Sequence, residues 1–397
     1  MKKVTIYLLL ISVIILSGCK DEFDYVDDFG VQHAGNPEVK WRFNFPEAKT
    51  FQNGVAPVIY KDKVFFAFQN SVFALDKNSG KLLNHWKTDE IWSLAMFKPY
   101  VYKNLIIFNG GALSPQKILA YNMDTFQKQW EVPFNAKTST MLGIEEKLFL
   151  LQNNNLIMFN LNTQKVEKNI NLSTTNGVFQ FNTFPNVYFN ELKQICFVTI
   201  DYPNNEKRLL NYNIDLDKII FEKNLYMSYD VNTATRYCMV YNNTIVYNEG
   251  SGLIKCCGLK TGESLWQHSL LGRERIEGGY PTFYDNSLVV STGDNQYLVR
   301  LNIKDGTEVW KIKSGNKSYG WSSWERFYSY KNRVYWGGGL TALNIDNGNP
   351  VWLNWAEDKR KLYLTNLKAF EDDNVFLGGI NTDSKTGQSA ICLKIAN

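Results

Sequence analysis

Histidine and proline are scarce in this 397-residue chain, at 3 and 10 residues. The three histidines, His33, His85 and His268, are too few and too scattered for a recognisable zinc site. Charge of one sign is missing as well. Lys and Arg number 43 against 39 Asp and Glu, a net charge of +4 that leaves no electrostatic footprint for nucleic acid. There is no Gly-x-Ser-x-Gly elbow, no phosphate-binding Gly-rich loop and no oxygen-rich Ca²⁺ loop. The carboxylates Glu371, Asp372 and Asp373 sit beside Asn374 and read as a solvated turn. No segment keeps a 3.6-residue apolar period for three turns, which excludes helical repeats. What the chain does have is apolar and aromatic mass, 44% hydrophobic and 15% aromatic, which excludes a disordered protein. It also has 43 Asn and 27 Gly, residues that tolerate positive φ and so supply tight turns.

The first residues read as an address. Lys2 and Lys3 precede an apolar run of 13 residues, Val4 to Leu16, which is too short for a stable membrane span. Leu16-Ser17-Gly18-Cys19 follows and resembles the lipobox of bacterial lipoproteins. That resemblance implies a signal peptide over 1–18, cleavage before Cys19 and acylation at Cys19, hence a membrane anchor. The acidic stretch over 19–38, beginning Cys19-Lys20-Asp21-Glu22, has no apolar face and reads as a flexible tether. Its Lys-acidic-acidic start also resembles a signal that sends some lipoproteins to the outer face of the bacterial outer membrane. The other five cysteines, Cys196, Cys238, Cys256, Cys257 and Cys392, are odd in number and scattered, which does not make a disulfide framework.

From 39 to 397 the chain repeats itself. An apolar alternation leads to Asp or Asn, then three residues, often Gly, three more, and Trp. Gly258, Gly262 and Trp266 form one copy; Asn302, Gly306 and Trp310 another; Asn344, Gly348 and Trp352 a third. Asn122 to Trp130 keeps the spacing with Phe126 in the Gly position, and Asn213 to Phe221 keeps it with Asp217 there. Asp76 and Gly80 fit, with Trp86 two residues late, while Asn160 is the most degraded copy, with Lys168 for Trp. Starts at 76, 122, 160, 213, 258, 302 and 344 give a period near 45 residues, that of a four-stranded propeller blade. Short β-branched and aromatic runs between turns, such as Val64 to Phe68, agree with strands. The segment Ser389 to Ile395 lacks a Trp strand after it, and Val39-Lys40-Trp41-Arg42-Phe43 is a Trp strand with nothing before it. The expected fold is all-β: an eight-bladed β-propeller of four-stranded antiparallel blades, closed by strands from both chain ends.

This pattern resembles the pyrroloquinoline-quinone-type (PQQ-like) propeller repeat over nearly the whole of 39–397. The resemblance implies that each Trp docks on the Gly-bearing turn of a neighbouring repeat. Trp41, Trp86, Trp130, Phe221, Trp266, Trp310 and Trp352, with Gly80, Gly262, Gly306 and Gly348, are therefore structural fasteners. Quinoprotein dehydrogenases of this class carry Ca²⁺, a catalytic Asp and a disulfide between adjacent cysteines, and Cys256-Cys257 is the tempting match. The pair falls on strand positions just before the Gly258 turn, where two side chains point to opposite faces. The expectation is therefore no cofactor, no metal and no catalysis, with a quinoprotein oxidoreductase as the alternative. The resemblance narrows to lipid-anchored propellers such as that of the outer-membrane β-barrel assembly machine, which implies a scaffold for another envelope protein.

In a propeller, the connections into the innermost strands open onto one face. Several here are rich in aromatics and charge: Trp92; Arg273 and Arg275; Tyr319, Trp321, Trp324 and Arg326; and Trp355. These form the candidate binding face of a monomeric ring. Its expected partner is an envelope protein, with a glycan stacking on the tryptophans as another reading.

Overall fold

In the computed structural model the described residues are 37–46, 56–68, 71–88, 99–110, 117–133, 141–152, 155–172, 188–201, 206–225, 238–248, 253–270, 281–291, 297–313, 327–336, 340–352, 362–381 and 388–395. They form eight four-stranded antiparallel sheets, the blades of a β-propeller. Blade 1 is Val58–Tyr60, Lys63–Phe68, Ser71–Asp76 and Leu82–Lys87, from the innermost strand outwards. The next six blades follow the same order in sequence, and blade 7 ends at Pro350–Trp352. Blade 8 takes three strands from the C-terminal end, Leu362–Glu371, Asn374–Asn381 and Gln388–Lys394, and its outer strand, Glu38–Asn44, from the N-terminal end.

The closure is specified residue by residue. Trp41 lies opposite Cys392 and Asn44 opposite Ser389. Arg42 Nε donates to Ser389 Oγ at 3.3 Å, Ser389 Oγ donates to Asn44 Oδ1 at 2.7 Å, and Lys40 Nζ reaches Asn374 Oδ1 at 3.0 Å. A register shift between Val39 and Trp41 matches one found between the third and outer strands of each other blade. The borrowed strand thus reproduces the geometry of a continuous blade.

Strand periodicity explains where the core sits. Successive side chains on a strand point to opposite faces, so a third strand feeds two junctions at once. Val72 and Ala74 pack towards blade 2, whereas Phe73 and Leu75 pack towards blade 8. All five residues from Ser71 to Leu75 are buried. Such apolar seams, with members such as Ile118, Phe197, Tyr247, Leu288 and Val334, run through all eight junctions and hold the ring together. The outer strands alternate exposed and half-buried residues, as a solvated edge requires.

The turns explain the abundance of Asn. Five residues into each repeat stands a residue with positive φ: Gly80 at 70°, Phe126 at 62°, Gln164 at 57°, Asp217 at 52°, Gly262 at 68°, and Gly306 and Gly348 at 73°. Its amide closes the turn onto the first residue, as Gly80 N–H does on the Asp76 carbonyl at 2.9 Å. Where that first residue is Asp or Asn, its side chain accepts intervening amides; in the Gly258 turn the Thr261 hydroxyl takes the Glu263 amide instead. Asp76 Oδ1 takes those of Asn78 and Ser79, and Asn122 Oδ1 those of Asp124 and Thr125. Only a short carboxylate or amide reaches this position, which is why Asp or Asn recurs there.

Candidate functional site

Two rows of contacts reach the turns of the next blade, one from the outer strands and one from the turns after the innermost strands. In the first row, Trp41 of blade 8 lies over Gly80 of blade 1, and its indole N–H donates to the Lys77 carbonyl at 2.9 Å. A Cβ at Gly80 would stand 2.6 Å from the indole, so a side chain there collides with the ring. Trp266 repeats this on Gly306, donating to the Ile303 carbonyl at 2.7 Å, and Phe221 covers Gly262. Trp310 donates to the Ile345 carbonyl at 2.8 Å, while Ile312 approaches Gly348 more closely than the indole does.

The degraded repeats use other chemistry. Between blades 3 and 4, Lys168 stands in the Trp position and Asp217 in the Gly position, and the two form an ion pair at 3.0 Å. The Tyr212 hydroxyl also donates to Asp217. Both partners hold the Asp217 carboxyl below the usual range, the Tyr212 hydrogen bond most. Trp130 packs on Phe159 at 6.1 Å between ring centres. In blade 1 the Trp position, opposite Ala74, holds Asn84, and Trp86 lies opposite Val72. Trp86 leans on Tyr121 and Phe126 of blade 2, but its indole nitrogen is buried without a partner. Trp352 packs against Tyr335 and the seam towards blade 8. His85 stacks on Phe73 of its own blade at 4.2 Å, and its Nε2 has no partner.

The row from the innermost strands was not legible from the Trp repeat. Tyr60 and Lys61, at the first turn of blade 1, both grip Asp124 of blade 2, the Tyr hydroxyl at 3.2 Å and the Lys ammonium at 3.0 Å. Tyr102 and Lys103 grip Asn162 of blade 3 in the same way, at 3.0 and 3.3 Å. Tyr330 donates to the Asp372 carbonyl at 3.0 Å, and Lys331 pairs with Asp373. Lys77 pairs with Glu371 across the closure. Tyr100 lies on Gly143 and donates to the Glu145 carbonyl at 2.8 Å. The signal that carries this row is Tyr-Lys-Asp/Asn at the end of an innermost strand, present at Tyr60, Tyr102 and Tyr330. Exposed ion pairs add little stability singly, so these clasps mainly fix the angle between neighbouring blades.

These clasps mark one face of the ring. In a four-stranded antiparallel blade, turns after the first and third strands share a face, and connections after the second and outer strands share the other. Every residue of the predicted binding set, Trp92, Arg273, Arg275, Tyr319, Trp321, Trp324, Arg326 and Trp355, belongs to a connection from an outer strand to the next innermost strand. All eight lie outside the described residues, as does Cys19. The strand ends that flank them, such as Lys313 and Phe327, emerge on the face opposite the clasps.

Cys256 and Cys257 are free thiols on the third strand of blade 5, opposite Trp266 and Ser264 respectively. They belong to different seams: Cys256 packs with Val246 and Ile254, Cys257 with Cys196 and Cys238. Burial pushes their pKa values up to about 12 and about 11, so both stay protonated and unreactive at neutral pH. The pair therefore does not fit the adjacent-cysteine disulfide of a quinone pocket. Among the described residues, no group of three or more His, Cys, Asp or Glu is placed to hold a metal ion.

The family model described as outer membrane protein assembly factor BamB matches residues 236–389. BamB from Moraxella catarrhalis superimposes with a TM-score of 0.62 at 10% identity, over 90% of this chain and 100% of that one. This chain carries a BamB-like, PQQ-type propeller. The computationally designed Ika8 protein gives a TM-score of 0.66 at 14% identity, over 91% and 100% of the two chains. A europium-containing methanol dehydrogenase gives 0.60 at 9% identity, over 90% of this BamB-like chain and 93% of the enzyme. At such identities the solved structures share the fold alone. No curated protein matches the sequence.

Proposed function

We propose that this chain is a lipid-anchored protein of the bacterial outer membrane that docks another envelope protein on the face where successive blades connect. The observation that carries this reading is the match to an outer membrane protein assembly factor, on a ring of the same fold. Residues 1–18 are then a signal peptide, Cys19 the lipid site, 19–38 the tether and 39–397 a monomeric propeller that needs no cofactor. A closed ring suits the task, because its connections can vary on one face while the seams stay packed. The contact residues in this reading are Trp92, Arg273, Arg275, Tyr319, Trp321, Trp324, Arg326 and Trp355. Aromatic and Arg side chains are those that dominate binding energy at protein interfaces.

Two measurements test it. Cys19→Ser is expected to move the protein from the membrane to the soluble fraction; an unchanged membrane fraction would refute the anchor. Trp321→Ala with Trp324→Ala is expected to abolish crosslinking to the envelope partner with little change in melting temperature. Truncating a central aromatic contact commonly costs about 2 kcal/mol, roughly thirtyfold in affinity. If the crosslink persists in the double variant, the docking face lies elsewhere. Should the crosslink be absent and a glycan bind through these tryptophans, the ring is a glycan binder. A second reading, a quinoprotein oxidoreductase, is favoured by the shared fold of the europium-containing methanol dehydrogenase. It would show itself as dye-linked alcohol oxidation that requires added quinone and Ca²⁺.

A further inference from the structure

The junction between blades 5 and 6 lacks the clasp that joins blades 1 and 2, 2 and 3, and 7 and 8. Where Lys61 and Lys103 reach across at other junctions, blade 5 has the shorter Asn242 after Tyr241. Where Asp124 and Asn162 receive them, blade 6 has Lys304, a donor instead of an acceptor. Neither half of the clasp can form. A cavity of about 400 Å³ remains in the seam, lined by Tyr241, Asn242, Thr244, Asn286, Asn302, Ile303 and Lys304. That volume falls in the range of small-ligand sites, about 300–1,000 Å³.

Its lining has a definite chemistry. Ile303 gives a buried apolar surface, and the Tyr241 ring, braced at 5.3 Å by Phe283, gives an aromatic wall. The amides of Asn242, Asn286 and Asn302 can each donate and accept. Asn302 Oδ1 is engaged by the Lys304 amide, which fixes the side chain and leaves its NH₂ as the group to offer. The Thr244 hydroxyl donates to the Tyr241 carbonyl at 2.7 Å, so its lone pairs are what it has to offer. No carboxylate lines the cavity, but Asp285 lies close enough to Tyr241 to raise its pKa, after burial itself.

One aromatic wall beside three amides and a hydroxyl, with no carboxylate in the lining, matches a ring that is apolar on its faces and hydroxylated around its edge. We propose that this seam binds a neutral pyranose ring of a glycan, on the face opposite the connections that carry the candidate protein contact. The Tyr241 ring stacks against one face of the sugar, and the Asn286, Asn242 and Lys304 side chains bond its hydroxyls. This site would let the ring hold a carbohydrate and a protein partner together on its two faces.

The test uses equilibrium dialysis of labelled D-glucose and N-acetylglucosamine against the full chain in detergent. A single ring of about a dozen heavy atoms is expected to bind with a Kd of about 1 mM. Asn242→Lys combined with Lys304→Asp rebuilds the clasp of blades 1 and 2 and should close the seam. Binding is then expected to weaken at least about tenfold while the melting temperature holds or rises. Asn286→Ala, which leaves the seam open, should weaken binding without that rise. Absence of saturable binding of either sugar by the parent chain overturns the proposal. So does binding that survives the rebuilt clasp, since the sugar then sits elsewhere. A photocrosslinker at Asn286 that captures a protein, with no sugar bound, would make the seam a protein contact and also overturn it.

Discussion

Deletion of Ser389 to Asn397 is expected to leave a chain that no longer folds to a monomer. The deleted segment is the third strand of blade 8, and it is the one strand to which Glu38–Asn44 is paired. Its loss frees that strand and bares the edge of Asn374–Asn381. Unpaired edges template pairing with other chains. Side-chain losses act in the same direction. Ile391, Leu393 and Ile395 are buried in the seam with blade 7, and Ala390 and Cys392 in the seam with blade 1. Burial of a large aliphatic side chain stabilises by about 1.5–3 kcal/mol. Three of them therefore approach the whole net stability of an ordinary domain, about 5–15 kcal/mol. Light scattering after size-exclusion chromatography should report aggregates, or too little soluble protein to measure. A truncated chain that stays monomeric and melts like the parent would show that blade 8 does not close the ring.

Most of the architecture was legible because a propeller writes its period into the chain. The turn after each third strand needs an acceptor at its first residue and a positive φ at its fifth. Asp76 with Gly80, or Asn302 with Gly306, declares both at once. Closure by both chain ends was legible for the same reason, since Trp41 and Ser389 to Ile395 are complementary halves of one repeat. Other contacts left no such mark. The pairing of Lys168 with Asp217 replaces a Trp and a Gly by two charges, which looks like decay until the two side chains are seen together. Trp86 fits the pattern by composition yet sits one pleat away from the position that offers a carbonyl to an indole. The cavity between blades 5 and 6 depends on what Asn242 and Lys304 fail to do, and only a comparison of junctions exposes that. The candidate docking residues follow no repeat at all, because connections answer to a partner and not to the seams.

That contrast between Trp41 and Trp86 gives the second large effect. Trp41→Ala is expected to cost about 3–5 kcal/mol, the range for deleting a large buried aromatic. Trp41 is only 7% exposed, packs on Phe376 and covers Gly80, so its removal leaves a void at the junction that closes the ring. A gentler pair of variants separates packing from hydrogen bonding. Trp41→Phe keeps an aromatic ring over Gly80 but strips the Lys77 carbonyl of its donor, a loss of about 1 kcal/mol beyond the smaller ring. Trp86→Phe removes an indole nitrogen that is already buried without a partner. Since an unsatisfied buried donor costs about 1–3 kcal/mol, its removal offsets the area lost. Denaturant midpoints should therefore fall clearly for Trp41→Phe and little, if at all, for Trp86→Phe. Equal losses in the two variants would mean that the indole bond to the neighbouring blade contributes nothing, and that shape alone fastens one blade to the next.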